Sequence, residues 1–482
     1  MPDIRYVCLS DTHFGAYNSL LTNLKTASTE TAPLKPSPVL RRLVDCLRDL
    51  ISRNEDQEEK PTLVLNGDIL ELALATTNEA AMAFMRFVEL VIPEDEDERL
   101  FDDIIFIPGN HDHHLWEVAR ETQYLNHINR LEPGNRLPVP WHATDMFVTG
   151  STLTVPATFL MGLITRLPHL KRKKKLITSF YPNYGITSRD GSRAVLFHHG
   201  HFIEDLYRLM STLRNMLYPD RQPPTMPWDI EAENFAWIDF FWSAMGRSGD
   251  VGEDIGLLYE QMQDEKARQR LLRNLSTSLA ERYDLPGWGD WMERRIVNWV
   301  FNIVSKRVNN MERLQVTDKP LSDEAQQGLW NYLEGPLKGQ LKAERRQGMP
   351  PEVTFVFGHT HKPFSDDYNF NGYPQWVDTY NTGGWVVDTV DRTPLHGAAV
   401  VLLDEELNGA SVRLYNEAEG AESYRVRVEQ ASHPGEPANP LYEKLAQVVD
   451  PDADPWADFS SLAATTVHKR AENLRQRINS ST

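Results

Sequence analysis

Cysteine is nearly missing from this chain of 482 residues: Cys8 and Cys46 are the only two. Cys8 falls in a strand-like run and Cys46 in an amphipathic helical pattern, which excludes a disulfide framework and makes a reducing, cytoplasmic compartment the expectation. Cationic charge is also short. Lys and Arg number 50 against 69 Asp and Glu, a net charge of −19. That balance favours solubility and opposes unassisted binding to DNA or anionic membranes, unless a local basic patch overrides it. Long apolar runs are absent as well: the longest stretch, 153–170, is interrupted by Pro156, Arg166 and Pro168. It falls short of the ~20 apolar residues of a spanning helix, so no transmembrane segment is expected. Ile4-Arg5-Tyr6-Val7-Cys8-Leu9 already reads as a strand, leaving no room for the basic and apolar regions of a signal peptide. Export is not expected.

What the chain does have is a series of short apolar runs, each stopped by a polar cluster. The first leads into Ser10-Asp11-Thr12-His13. Asp-x-His puts two metal-ligand types on one turn, although a turn with a capping Asp would look the same. Ser37-Pro38 then opens a helix, Ser as N-cap and Pro in the first turn, with Leu40, Leu43, Val44, Leu47, Leu50 and Ile51 at helical spacing. A second strand, Thr62-Leu63-Val64-Leu65, ends in Asn66-Gly67-Asp68. Strand, helix, strand reads as a βαβ unit of a largely parallel sheet. Glu71 reads first as a helix-opening residue and only second as support for a site. After a helix over about 78–91 and an acidic loop at 94–98, Ile104-Ile105-Phe106-Ile107 forms a third strand stopped by Pro108-Gly109. Asn110-His111-Asp112 follows it, an amide, an imidazole and a carboxylate just past a strand end, where α/β proteins place their chemistry.

The stretch 153–175 joins apolar residues to Lys171-Arg172-Lys173-Lys174-Lys175, the conspicuous basic patch of an acidic chain. A solvated helix end is the first reading. A membrane-surface contact is the second and a nucleic-acid site the third. Ala194-Val195-Leu196-Phe197 is a fourth strand, ending in His198-His199-Gly200-His201, and three imidazoles in four residues point to metal. From 202 to 349 the pattern turns helical, with seven of the chain's twelve tryptophans. The chain is too long for one core, and this segment reads as a separately cored helical insertion, a lid or cap beside the site or a partner-binding module. Val353-Thr354-Phe355-Val356-Phe357 then ends in Gly358-His359-Thr360-His361, and further strands, including 398–403 and a hairpin across 411–415 and 423–428, are expected to complete a second sheet. The tail from 431 to 482 is expected to be peripheral.

Together the strand ends supply Asp11, His13, Asp68, Asn110, His199, His359 and His361. Imidazole, carboxylate and amide donors without thiolates suit two divalent first-row ions, Mn, Fe, Zn or Ni, better than Ca or Mg. Two ions about 3.5–4 Å apart activate a bridging hydroxide and clamp a phosphoryl group, which is a phosphoesterase design. The order Asp-x-His, Gly-Asp, Gly-Asn-His-Asp, His-Gly, Gly-His-x-His closely resembles the calcineurin-like metallophosphoesterase superfamily, over about residues 1–120, 190–201 and 350–430. The resemblance implies an α/β fold, a four-layer α-β-β-α sandwich, here as a core of 1–201 and 350–430 split by the insertion, with a dinuclear site. It implies Asp11, His13 and His361 on one ion, Asn110, His199 and His359 on the other, and Asp68 bridging, with Mn favoured. It makes His111 the imidazole that stabilises the transition state or protonates the leaving oxygen, and Asp112 its orienting partner. Asn381-Thr382-Gly383 looks like the turn that follows the last histidine pair in many members. Where the pattern has one histidine before glycine, this chain offers three. His199 fits the ligand position, leaving His198 and His201 to face substrate or to support the ligands.

The function these readings favour is hydrolysis of a phosphodiester or nucleotide-type ester by a metal-bridging hydroxide. Three rivals stand beside it. One is a lipid-linked pyrophosphatase resembling the UDP-diacylglucosamine hydrolase branch, which usually has Arg where this chain has His111. The others are a nuclease working with an ATPase partner and a non-catalytic scaffold that binds a protein partner through 202–349.

Overall fold

The computed structural model of the protein describes residues 2–26, 28–148, 154–172, 176–243, 311–315, 318–345, 348–418, 420–433, 435 and 437–480. Residues 173–175 of the basic run and 244–310 of the expected insertion, with the helical pattern at 288–304, lie outside them. The apolar runs form strands β1 (Ile4–Leu9), β2 (Thr62–Leu65) and β3 (Asp103–Phe106), connected through helices α1 (Pro38–Ile51) and α2 (Thr77–Val91). Helix α1 starts where its sequence says it must: Ser37 Oγ accepts the Leu40 N–H at 3.0 Å and Pro38 takes the first turn. After α3 (His113–Ile128) come β4 (Val155–Pro156), α4 (Thr158–Ile164), β5 (Ile177–Ser179), β6 (Asn183–Thr187) and β7 (Arg193–His198). The described helices of the next segment are α5 (Leu209–Leu217), α6 (Pro227–Ile238), α7 (Asp323–Tyr332) and α8 (Lys338–Glu344). The chain ends through β8 (Glu352–Phe357), β9 (Phe364–Tyr368), β10 (Val377–Asn381), β11 (Gly397–Asp404), β12 (Gly409–Asn416), β13 (Arg427–Glu429), α9 (Pro440–Val448) and α10 (Trp456–Ser480).

The strands make two sheets in a mixed α/β fold, in the orders β13-β12-β11-β1-β2-β3-β5-β4 and β6-β7-β8-β10-β9. Strands β1, β2, β3 and β5 run parallel, as do β7, β8 and β10. Period-two alternation decides what each face meets. Val7, Leu9, Leu63, Leu65, Val400 and Leu402 join a core with α1, α2, α4, α9 and α10. Their neighbours Cys8, Val64, Val401 and Leu403 meet Val195, Phe197, Val356 and Tyr380 of the other sheet. On that sheet Leu196, Phe355 and Phe357 face Ile230, Leu329 and Leu341. Burial on both faces explains why these strands are continuously apolar, each such side chain contributing about 1.5–3 kcal/mol.

Three expectations are corrected. Strands β11 to β13 do not complete the second sheet: Val401 pairs with Cys8, so they extend the first. The C-terminal segment is not peripheral, because Trp456, Phe459, Ala463, Val467 and Leu474 are buried in the first core. Leu160, Met161 and Ile164 of α4, which packs against α2 and α3, are buried there together with Leu170, which removes the apolar half of a membrane-contact reading for these residues. Among the described residues no helix is long and apolar enough to cross a membrane.

Candidate metal centre

Parallel strands place their C-terminal ends together, and the polar turns after β1, β2, β3, β7, β8 and β10 converge there. Backbone and amide bonds lock them. Asp11 N–H donates to Gly67 O (2.9 Å), Gly358 N–H to His199 O (2.8 Å), and Asn66 Nδ2 crosses between the sheets to His198 O (3.1 Å). Asn381 Nδ2 donates to Gly358 O (3.0 Å), so the Asn-Thr-Gly turn braces the histidine pair. The turns are strained where they carry ligand-type side chains: φ is +49° at Asp11, +43° at His13, +52° at Asp68, +69° at His359 and +57° at His361. Each such L-residue costs about 1–2 kcal/mol, and strain of this kind gathers at functional sites. Close packing adds a second constraint, since a Cβ on Gly109 would fall on Asp68 Oδ1 and one on Gly358 on Asp11 Oδ2.

Of four buried donor groups among the described residues, two are built wholly from the residues expected as ligands. Asp11, His13 and His361 bring ligand atoms within 4.8 Å of one another, and so do Asp68, His199 and His359. His13 Nε2 and His361 Nε2 are 3.3 Å apart, and His361 Nε2 is 3.2 Å from Asp11 Oδ1. His199 Nε2 lies 3.2 Å from both Asp68 Oδ2 and Asn110 Oδ1. Asp68 stands between the groups: Oδ2 is also 3.8 Å from His13 Nε2, while Oδ1 accepts the His111 N–H at 2.7 Å. Asn110 Nδ2 is 3.2 Å from Tyr207 Oη, which turns its carbonyl oxygen inward.

The far ring nitrogens show why the rings point as they do. His13 Nδ1 is 2.8 Å from Glu71 Oε2, His199 Nδ1 is 3.0 Å from Asn66 O, and His361 Nδ1 is bonded to Asp388 Oδ2. An oxygen partner on one nitrogen fixes the tautomer that presents the other to a metal. Among the described residues His359 Nε2 makes no hydrogen bond, although Glu204 Oε1 is 2.7 Å away. Inward-facing nitrogen and oxygen donors without thiolate fit divalent first-row ions.

The contact with His111 expected of Asp112 is made by Glu71, whose Oε1 is 2.9 Å from His111 Nδ1. Asp112 instead accepts the backbone N–H groups of Gly109 (2.7 Å), Ile69 (2.7 Å) and Leu70 (3.3 Å), shaping the loops. Glu71 precedes α2 by six residues and so is not the helix-opening residue its position implied. His198 packs against Tyr332, with ring centroids 4.6 Å apart, and His201 reaches Tyr181 Oη at 3.1 Å; neither joins the two donor groups. Asp388, Glu204 and Arg313, whose Nη1 is 3.2 Å from His111 Nε2, are additions. A carboxylate three residues past Trp385 and one three past His201 were readable signals. Nothing local marks Arg313.

The electrostatics are those of a cation site. Burial would raise the Asp68 pKa, yet His199, His111 and His13 hold it well below the ordinary carboxylate range. Burial likewise opposes charge on His199 and His361, but Asp68 and Asp11 carry the first up to about 9, and Asp388 and Asp11 the second to about 10. Asp112 is pushed to about 7 by burial and by Asp68. A divalent cation binding at these imidazoles would displace those protons. A cavity of about 650 Å³, bounded by Arg193, Glu352, Asp367, Trp376 and Asn439, lies at the opposite, N-terminal ends of β7, β8 and β10 and contains none of these groups.

No curated protein matches the chain. Residues 4–234 match a family model, and that span carries the first four motifs, to which the fold adds His359 and His361. That model is the calcineurin-like phosphoesterase, to which residues 4–234 are similar, and members of the family are metal-dependent hydrolases acting on phosphate esters.

Proposed function

We propose that the protein hydrolyses a phosphodiester or nucleotide-type ester with two divalent ions, Mn²⁺ favoured. Asp11, His13 and His361 would hold one, Asn110, His199 and His359 the other, and Asp68 both. The observation that carries this reading is the convergence of imidazole nitrogens whose opposite nitrogens are already held by Glu71, Asn66 and Asp388. When bound, the ions supply an activated water and neutralise phosphoryl charge. The chain's own part is positional. His111, fixed through Nδ1 by Glu71, presents Nε2 to the reacting group; a phosphoryl oxyanion there favours its protonated form, from which it donates to the leaving oxygen. We read the two sheets and their flanking helices as the α-β-β-α sandwich of the family, and the described parts of 202–349 as belonging to an insertion that reaches the site.

Purified protein with Mn²⁺ is expected to hydrolyse bis-p-nitrophenyl phosphate or p-nitrophenyl phosphate and to contain two ions per chain by elemental analysis. Asp68→Ala should lose metal and turnover, and His111→Ala should keep metal and lose turnover. Full activity in both variants overturns the mechanism.

A further inference from the structure

The segment that leaves the core after β7 and the segment that returns before β8 both reach the metal centre, and buried charges fasten them together. Glu204 Oε2 accepts the Glu312 N–H at 3.2 Å. Glu312 Oε1 receives Lys362 Nζ at 2.8 Å and the Ser322 N–H at 3.0 Å, and Lys362 directly follows His361. Glu312 and Lys362 are buried, so this ion pair anchors the 311–315 turn rather than decorating it. The anchored turn carries Arg313, 4% exposed, to within 3.2 Å of His111 Nε2. Burial disfavours a guanidinium, yet the field of Asp388, Glu71 and Asp68 keeps this one charged.

Arg313 Nη1 can only donate, so at 3.2 Å it donates to an unprotonated His111 Nε2; a buried cation placed there is poorly explained as packing. An apolar side chain would fill the same space without the desolvation cost, and guanidinium and imidazolium repel when both are charged. A tetrahedral oxyanion beside the pair removes the conflict, because its oxygens accept from both. The planar fork of Arg suits two phosphoryl oxygens at once. The competing account is that Arg313 only offsets the surrounding carboxylates.

We infer that Arg313 binds the non-bridging phosphoryl oxygens of the substrate next to His111, so that the 202–349 segment contributes a binding group to the site. This rests on the phosphoesterase reading above. The ligand class is any phosphate ester presenting two such oxygens, with inorganic phosphate as the probe.

The test is calorimetric titration of the Mn²⁺-loaded full chain with inorganic phosphate, together with elemental analysis and the kinetics of bis-p-nitrophenyl phosphate. Arg313→Ala is expected to keep its metal content and weaken phosphate binding about 10- to 100-fold, with a matching fall in kcat/KM. Phosphate affinity within twofold of the parent in folded Arg313→Ala overturns the inference. Should that variant not fold, Arg313→Gln, which keeps most of the stem, decides by the same criterion. A parent protein that binds phosphate through Arg313 yet hydrolyses no ester would remove the phosphoesterase reading and leave the anion site standing.

Discussion

Glu71 links two imidazoles to which we assign separate jobs, one oxygen on His13 and the other on His111. It also accepts the Ala73 and Leu74 N–H groups, and the opposing charges of His111 and His13 hold its carboxyl below the ordinary range despite burial. Glu71→Gln leaves one of these donors facing an amide NH₂. Partners of metal-ligating histidines typically contribute 10- to 100-fold in metal affinity or activity, so Mn²⁺ affinity and kcat should both fall by about that factor, checked by metal titration and steady-state kinetics. Asp112→Asn differs, because Asp112 accepts only backbone N–H groups. It should lose about 1–3 kcal/mol of stability in urea unfolding, with a smaller loss in kcat than Glu71→Gln. Backbone strain gives a third comparison. At φ +49° glycine is favoured over alanine by about 1 kcal/mol, so Asp11→Gly should unfold at higher urea than Asp11→Ala though both lack the carboxylate. The ligand-type residues were legible because each follows its own apolar run within a few positions. Glu71 was legible only as a second reading, since its partners are 58 and 40 residues away and only the fold brings them together.

Between elements, helix α3 meets α6 through buried charge. His113 Nε2 is 2.7 Å from Glu231 Oε1, Glu231 Oε2 accepts from Tyr181 Oη at 2.9 Å, and Asp239 takes His114 Nδ1 at 2.9 Å. Burial opposes a charged His113, but Glu231, Asp239 and Glu117 raise it to about 10. A raised imidazole pKa means the folded state holds a proton that the unfolded chain releases above about 6.5. The stabilisation is therefore full below that pH and lost as pH rises toward 10. Thermal unfolding between pH 7 and 10 should show falling stability, and His113→Asn should flatten the slope; an unchanged slope would refute the pairing. Packing of α10 on α1 gives another expectation: Trp456→Ala should cost about 3–5 kcal/mol, read by chemical denaturation. Helices α1 and α2 were readable from their caps and stripes, whereas β11 was readable only as a strand. Apolar on both faces, it fits either sheet equally, and its partner β1 lies almost 400 residues away.

At the scale of the whole molecule, the donor groups draw on both sheets. Asp11, His13, Asp68 and Asn110 follow strands of the first, and His199, His359 and His361 follow strands of the second. Neither sheet alone assembles a complete group, because Asp11 and His13 need His361 and Asp68 needs His199 and His359. A ligand that binds only this assembled arrangement stabilises it by mass action, about 2.7 kcal/mol at 100 times its dissociation constant. It follows that the melting temperature should rise with the logarithm of Mn²⁺ concentration and fall on chelation, and that unfolding of the two sheets should be coupled by the metal. Asp68→Ala, which removes the carboxylate between the groups, should lose most of that dependence, and its melting temperature in chelator should fall below the parent's, since the variant also takes away the acceptor of the His111 N–H and the charge that supports His199. A parent melting temperature indifferent to both Mn²⁺ and chelator would show that the converging donors do not hold an ion.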